Sequence, residues 1–217
     1  MDPCHGRVLA DAAMSRSQKP KTAADPFDAA YYQRFYEDQT TAVSDLPAVR
    51  RLCTFVLAYL DFLELRVRTV LDMGCGIGHW ATAMRQARPR IRYTGIEWSQ
   101  HLCDRFGWTR GSVVDHTPGK TFDLVVCQGV LQYLDDRQAA RAITNLARCC
   151  HGALYVEALT VGDWRHNCDR TVTDGDVNLR TANWYRQRLR RHFVAIGGGL
   201  FVRKTASVTL FELEGMA

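Results

Sequence analysis

An acid and three evenly spaced glycines form the stretch of this sequence with the clearest chemical meaning. Asp72 ends a run of apolar residues, and Gly74, Gly76 and Gly78 follow at every second position. Glycine adopts positive φ angles without strain, and its lack of a Cβ lets backbone lie close to a ligand. The pattern predicts a buried β-strand, a ligand-binding turn and the N-terminus of a helix.

The glycine spacing decides between classes of ligand. The dinucleotide fingerprint Gly-x-Gly-x-x-Gly would place its third glycine where this chain has His79. The spacing Asp-x-Gly-x-Gly-x-Gly instead resembles motif I of the class I S-adenosylmethionine-dependent methyltransferases. The resemblance implies that Asp72 meets the ammonium of S-adenosylmethionine and that Gly74, Cys75 and Gly76 accommodate its amino-acid part. The alternative is an ordinary glycine-rich turn.

A second acid follows the next predicted strand. Glu97 is placed to accept both ribose hydroxyls of the cofactor, although it could instead cap a helix or be solvated. Trp98 lies against the adenine or on the surface. In the resembled family a Gly-Asp pair contacts the adenine, whereas this chain has Gly111-Ser112. We expect the hydroxyl of Ser112 and the backbone of Val113 to serve in its place.

The segment after the predicted fourth strand, 122–127, resembles the fourth and fifth motifs of the same family. A polar turn, Gln128-Gly129, is followed by Val-Leu-x-aromatic-Leu. The resemblance places Gln128 and Gly129 at the cofactor. Tyr133 follows the fourth strand and should therefore face the pocket near the transferred methyl group, where it would orient the acceptor or pack in the core. In the resembled family an imidazole is common at this position.

Acceptor contacts are expected from the end of the fifth strand and from a long loop, about 158–182. Glu157 could bind the acceptor or be solvated. His166 has a pKa near neutrality and could act as a general base, or lie on the surface. Arg180 could hold a carboxylate of the substrate. A long segment without periodicity is usually functional or mobile, and we expect this one to cover the active site.

The aromatic segment 26–36 is predicted to be a short helix. In the resembled family such a segment often covers the cofactor or the substrate, and Tyr32 is the expected contact. The alternative is that its rings only pack this piece onto the domain. Residues 1–25 are small and polar and are expected to form a disordered tail, so that 26–217 make one methyltransferase domain.

The elements that must position these residues alternate along the chain. Predicted strands near 69–73, 91–96, 108–114, 122–127 and 152–157 alternate with helices, which is typical of a parallel α/β sheet. A helix over 183–191 and two terminal strands follow. The first strand is expected to run from 192 through 202 with a bend at Gly197–Gly199, and the second to cover 207–213. The sequence thus predicts a Rossmann-like, doubly wound, seven-stranded sheet with an antiparallel last strand and helices on both faces.

The composition indicates where the protein is located and which kinds of site its cysteines form. The chain has 217 residues, a net charge of +5 and eight cysteines. No apolar run approaches the ~20 residues that cross a membrane. No Cys-x-x-Cys pair occurs, so we expect a reduced, cytoplasmic protein with neither a metal site nor a disulfide framework.

These observations favour an S-adenosylmethionine-dependent enzyme that methylates an oxygen or nitrogen of a small-molecule acceptor. One alternative is an RNA methyltransferase that uses the arginine-rich face Arg180–Arg191. The other is a protein that binds S-adenosylmethionine without turning it over. Nucleic acid is the less expected partner, because no RNA-binding module accompanies the domain.

Overall fold

The computed structural model describes residues 27–37 and 45–211. The seven strands of this part are β1 Thr69–Met73, β2 Arg92–Glu97, β3 Thr109–Arg110, β4 Phe122–Gln128, β5 Cys150–Glu157, β6 Phe193–Gly197 and β7 Leu200–Arg203. They form one sheet in the order β3-β2-β1-β4-β5-β7-β6. Strands β1 to β5 pair in parallel, and β7 is antiparallel to both β5 and β6. The predicted fold class is therefore confirmed.

Helices cover both faces of this sheet. They are α1 Ala29–Tyr32, α2 Leu46–Phe62, α3 His79–Ala87, α4 Gln100–Phe106, α5 Asp136–Cys149, α6 Val161–His166 and α7 Ala182–Leu189. A π-helical turn, Gln33–Glu37, follows α1, and a 3-10 turn, Leu131–Tyr133, precedes α5.

Each face carries its own apolar core. Successive side chains of a strand point to opposite faces, so Val70 packs in the core under α2 and α3, whereas Leu71 packs in the core under α5 and α7. Both side chains are fully buried. Strand β1 lies between β2 and β4, with Asp72 opposite Gly95 and Val126. The carboxyl end of β1 is thus held in the middle of the sheet, where ligands bind in this architecture.

The terminal strands differ from the prediction. Gly197–Gly199 does not bend one long strand but turns the chain between β6 and β7, and all three glycines have positive φ. The segment 207–211 forms no strand, and 212 and 213 lie outside the described residues. Strand β3 is also shorter than expected, because the backbone carbonyl of Ser112 accepts the amides of Asp115 and His116 and turns the chain.

The long loop predicted over 158–182 contains regular structure that was not predicted. Thr160 and Asp163 form a capping box that starts α6. An isolated parallel bridge then joins Thr160 to Arg180 and closes the loop at its base. The expected tail, 1–25, lies outside the described residues. Within 27–37 and 45–211 no helix is long and apolar enough to span a membrane, and the seven cysteines are free thiols.

Candidate active site

The glycine turn after β1 has the conformation that its sequence requires. Gly74 and Gly76 have φ values of 86° and 55°, in the left-handed region. A Cβ on Gly74 would lie 2.3 Å from Val130 Cγ2, whereas a Cβ on Gly76 would meet nothing within 4 Å. Gly74 is therefore needed for packing, and Gly76 leaves bare backbone beside open space.

Asp72 is buried at the end of β1, with 1% of its surface exposed. The Tyr93 hydroxyl donates a hydrogen bond to its Oδ2. Burial raises the pKa of the Asp72 carboxyl to about 7, Tyr93 opposes this shift and nearby Glu97 adds to it. No cationic side chain among the described residues pairs with Asp72. A ligand ammonium beside Asp72 would supply the missing positive charge, so this carboxylate fits S-adenosylmethionine.

Glu97 is buried at the end of β2, and the protein itself occupies its carboxylate. The Oε2 atom accepts the Gly76 amide at 2.8 Å, and Oε1 accepts the amides of Trp98 and Ser99 at 2.8 and 2.9 Å. The Tyr32 hydroxyl donates to Oε1 at 3.4 Å. A carboxylate has about four acceptor positions, so a ribose diol would have to displace one donor. The contact with Tyr32 is the longest of the four.

The aromatic segment that starts at Phe27 lies next to Glu97 and Tyr133. The Ser99 hydroxyl donates to the Phe27 carbonyl at 2.6 Å. The hydroxyls of Tyr31 and Tyr133 lie 2.7 Å apart, and Phe27 makes edge contacts with both of their rings. The aromatic segment therefore lies beside the carboxyl ends of the strands. Tyr31 lines the cavity there, whereas Tyr32, the expected contact, is buried against Glu97.

A cavity of about 440 Å³ opens at the carboxyl ends of β1, β4 and β5, and we call it the central cavity. Six of the predicted cofactor residues line it: Asp72, Gly74, Cys75, Gly76, Gln128 and Gly129. Two of the three predicted catalytic residues, Tyr133 and Glu157, also line it. The chain thus brings the predicted methionine-side and acceptor-side residues to one place.

The predicted adenosine-side contacts lie outside the central cavity. Trp98 is 49% exposed, and the Arg110 guanidinium lies 5.6 Å from its ring centre. The Ser112 hydroxyl accepts the Val114 amide at 3.1 Å, and Val113 is buried. The expected cofactor contacts of Trp98, Ser112 and Val113 stay predictions, as do those of Tyr32 and Glu97.

A chain of hydrogen bonds positions Glu157 at the rim of the cavity. Trp80 Nε1 donates to Gln128 Oε1 at 2.7 Å, and Gln128 Nε2 donates to Glu157 Oε2 at 3.2 Å. The Tyr155 hydroxyl donates to the same Glu157 oxygen at 2.8 Å. Burial raises the pKa of the Tyr155 hydroxyl, so it remains a donor. Two fixed donors therefore hold one oxygen of Glu157.

Two sequence-based assignments on the long loop are not supported by the geometry. His166 is exposed at the end of α6 and does not line the central cavity. Arg180 is buried and cannot receive a substrate carboxylate, because its guanidinium already binds Asp136, Tyr185 and the backbone carbonyls of Leu131 and Leu134.

Sequence reasoning missed several lining residues. They are Tyr31, Phe35, His79, Trp80, Gln132, Asp163, Cys168 and Asp174. His79 directly follows the glycine motif, and burial lowers the pKa of its imidazole. Asp163 belongs to a Thr-x-x-Asp capping signal that was available in the sequence. No signal in the sequence marked Gln132.

Several solved structures share this fold. DesVI of Streptomyces venezuelae is 16% identical, with a TM-score of 0.55 over 71% of this chain and 91% of its own. Magnesium protoporphyrin IX methyltransferase of Synechocystis PCC 6803, solved with bound S-adenosylhomocysteine, is 18% identical, with a TM-score of 0.59 over 82% and 96%. An S-adenosylmethionine-dependent methyltransferase from Clostridium acetobutylicum is 11% identical, with a TM-score of 0.59 over 79% and 96%. At these identities the likeness concerns the fold.

The fold and the cavity define a class I S-adenosylmethionine-dependent methyltransferase. The family model described as "Methyltransferase domain" matches residues 18–196, and the chain belongs to that family. It is an enzyme, and its methyl donor is S-adenosylmethionine. None of the curated proteins compared with the chain matches it.

Proposed function

We propose that this enzyme transfers a methyl group to an oxygen or nitrogen of a small-molecule acceptor by in-line displacement. The observation that carries the proposal is the central cavity, where the glycine turn, Tyr133 and Glu157 line one space. Its volume of about 440 Å³ lies within the ~300–1,000 Å³ typical of small-molecule sites. Solved methyltransferases of this fold act on a porphyrin and on the peptide-derived plantazolicin, which is consistent with a non-polymeric acceptor.

The chain's own groups supply binding and alignment. S-adenosylmethionine provides a methyl group on a positively charged sulfur that leaves as a neutral thioether. In our proposal Asp72 holds its ammonium, and the backbone of Gly74–Gly76 lies along its amino-acid part. Alignment of the acceptor then supplies most of the rate, since effective molarities correspond to as much as ~7–11 kcal/mol.

On the acceptor side, the Tyr133 hydroxyl orients the acceptor atom and Glu157 receives its proton or binds a neighbouring group. Proton transfer by a positioned group contributes about 10²–10⁴-fold. The imidazole in the cavity belongs to His79 rather than His166. Its lowered pKa keeps it neutral at pH 7 and able to accept a proton.

The RNA alternative has less support. Arg180 is buried, so it is not part of a basic face. Arg188 and Arg191 line a different cavity, of about 500 Å³, which shares no residue with the central cavity. We therefore retain a small molecule as the proposed partner.

The free thiols of the described residues support a cytoplasmic location.

Thermal melts with S-adenosylhomocysteine test the cofactor half of this proposal. A ligand at ~100 times its dissociation constant contributes about 2.7 kcal/mol, which corresponds to a shift of roughly 5–10 °C for a domain of this length. We expect that shift in the wild type and in Asp176→Asn, because Asp176 does not line the central cavity. We expect its loss in Asp72→Asn.

A labelled methyl donor tests turnover. Label should enter small molecules from a metabolite extract and not RNA. Labelled RNA would favour the alternative, and cofactor binding without any labelled product would favour a non-catalytic binding protein. A well-folded wild type that shows no shift with S-adenosylhomocysteine would contradict the proposed ligand site.

A further inference from the structure

The central cavity is negatively charged. Among the described residues, its lining includes four carboxylates, those of Asp72, Glu157, Asp163 and Asp174, and no arginine or lysine. His79 also lines it, but the lowered pKa of its imidazole leaves it uncharged near neutral pH. The described part of the lining therefore supplies no fixed positive charge to receive an anionic acceptor.

The methyl donor accounts for only part of this charge. Its methionine ammonium compensates Asp72, and its sulfonium is offset by its own carboxylate. Asp163 is committed to the fold, because its two oxygens accept hydrogen bonds from Thr160 and Asn167. Glu157 and Asp174 remain. Within the described residues, Asp174 accepts only the Asp176 amide, at Oδ1, and Glu157 accepts both of its side-chain hydrogen bonds at Oε2. Each carboxylate therefore keeps free acceptor capacity.

Gln132 provides an independent sign of a bound ligand. Its side chain is 8% exposed and lines the same cavity, and its Oε1 has no hydrogen-bond partner among the described residues. A buried polar atom left without a partner costs roughly 1–3 kcal/mol, so native structures seldom keep one without a reason. The orphan atom is an amide oxygen, so its missing partner is a hydrogen-bond donor, N–H or O–H.

The aromatic lining fits the same chemistry. Rings of Tyr31, Phe35, Trp80 and Tyr133 border the cavity, and aromatic faces attract cations. Carboxylates, an unpaired carbonyl oxygen and aromatic rings together favour a ligand that carries positive charge and several N–H donors.

We propose that the acceptor is a small molecule with a protonated amine, which Glu157, Asp174 and Gln132 bind and whose nitrogen receives the methyl group. This inference rests on the proposed function and names its substrate class. A hydroxyl acceptor carries no charge for the carboxylates to attract, and a carboxylate or phosphate acceptor would be repelled by them.

The chemistry balances with these groups alone. The bound ammonium first gives one proton to the Glu157 carboxylate, which passes it to solvent. The nitrogen lone pair then forms the new N–C bond while the donor S–C bond breaks, and that electron pair stays on sulfur. The product is a methylated ammonium, which stays protonated on release near neutral pH, so one proton is released in each turnover.

Three matched probes test the charge preference without knowledge of the natural acceptor. They are 2-phenylethylamine, 2-phenylethanol and phenylacetate, which share one ring and differ in the end group. Binding of each to the full-length enzyme saturated with S-adenosylhomocysteine is measured by ligand-observed NMR titration at pH 7.5. We expect the amine to bind at least tenfold more tightly than the alcohol, and phenylacetate to bind most weakly.

Variants test whether Glu157, Asp174 and Gln132 cause the preference for the amine. Glu157→Gln and Asp174→Asn each remove one charge from the lining, and we expect each to weaken amine binding about three- to tenfold without weakening alcohol binding. Gln132→Met removes the orphan acceptor and should weaken amine binding by up to about tenfold, as for one hydrogen bond. Asp176→Asn removes a charge from the same loop outside the cavity and should leave the amine preference unchanged.

The outcomes separate this inference from the proposed function. An amine that binds no better than phenylacetate to an enzyme that binds S-adenosylhomocysteine would overturn the inference and leave the methyltransferase assignment standing. An amine preference that survives in both carboxylate variants would overturn it as well. Loss of S-adenosylhomocysteine binding by the wild type would instead count against the proposed function.

Discussion

The Asp72 carboxylate must be charged to bind a ligand ammonium, but burying that charge lowers the stability of the folded enzyme. Its pKa of about 7 in the folded enzyme lies above the 3.8 of an exposed aspartate. Between these values the folded state keeps a proton that the unfolded chain has lost, so stability falls as pH rises from about 4 to about 7. The full cost, up to about 4 kcal/mol, applies above pH 7.

We expect Asp72→Asn to stabilise the unliganded enzyme at pH 8. The asparagine carries no charge and its amide oxygen still accepts the Tyr93 hydroxyl. The gain in melting temperature over the wild type should be several degrees at pH 8 and should shrink toward pH 5, where Asp72 is protonated in the folded enzyme. Calorimetric melts across this range measure it. A variant less stable than the wild type at pH 8 would contradict the account.

At the scale of elements, Arg180 joins the end of the long loop to the helices around it. Its guanidinium donates to Leu131 and Asn178 carbonyls at 3.1 and 3.2 Å and to the Tyr185 hydroxyl at 3.1 Å. It also pairs with Asp136 at 2.7 Å. Because Asp136 is largely exposed, that ion pair contributes little, and the buried carbonyls carry most of the effect.

We expect Arg180→Met to destabilise the fold by about 3–5 kcal/mol, because it leaves several buried acceptors without donors. Arg186→Met, on an exposed position of the neighbouring α7, should stay within about 0.5 kcal/mol of the wild type. Urea unfolding of both variants measures the difference. Equal stability of the two would show that Arg180 is not a structural anchor.

The sequence alone predicted the central strands well and the long loop poorly. Strand and turn periodicity located β1, β2 and β4 closely, because a buried parallel strand and its glycine turn leave a local pattern. The position of His166 outside the central cavity could not be foreseen because α6 was not predicted. Once 161–166 is helical, Asp163 and Asn167 share the face toward the cavity and His166 does not. The unpaired Oε1 of Gln132 depends on three-dimensional contacts, which no single sequence displays.

The prediction of the two terminal strands was wrong for a different physical reason. Three consecutive glycines fit a bulge or a turn equally well, and only the pairing of β7 with β5 decides between them. A segment such as 207–211, with alternating apolar residues, becomes a strand only if a free edge accepts it. The sheet order was therefore predictable from the resemblance, whereas the strand limits at its antiparallel end were not.

For the whole molecule, burial of Asp72 couples ligand binding to pH. An ammonium ligand requires the charged carboxylate, so binding below pH 7 must release a proton. We expect the dissociation constant of S-adenosylhomocysteine to rise as pH falls below 7, by as much as tenfold per unit, and to stay nearly constant above 8. The melting-temperature gap between liganded and unliganded enzyme should widen from pH 6 to pH 8 for the same reason.

Isothermal titration at pH 6 in two buffers of different ionisation enthalpy tests this coupling directly. The difference between the observed heats gives the number of protons released, which we expect to approach one for the wild type. Asp72→Glu keeps a carboxylate at this position and should retain the release if it binds, since the linkage depends on a buried acid meeting a cation. Equal heats in the two buffers would show that Asp72 already carries its charge in the unliganded enzyme. In that case the pKa of Asp72 would lie below 6, its charge would cost the fold less, and the stability gain of Asp72→Asn at pH 8 should be correspondingly small.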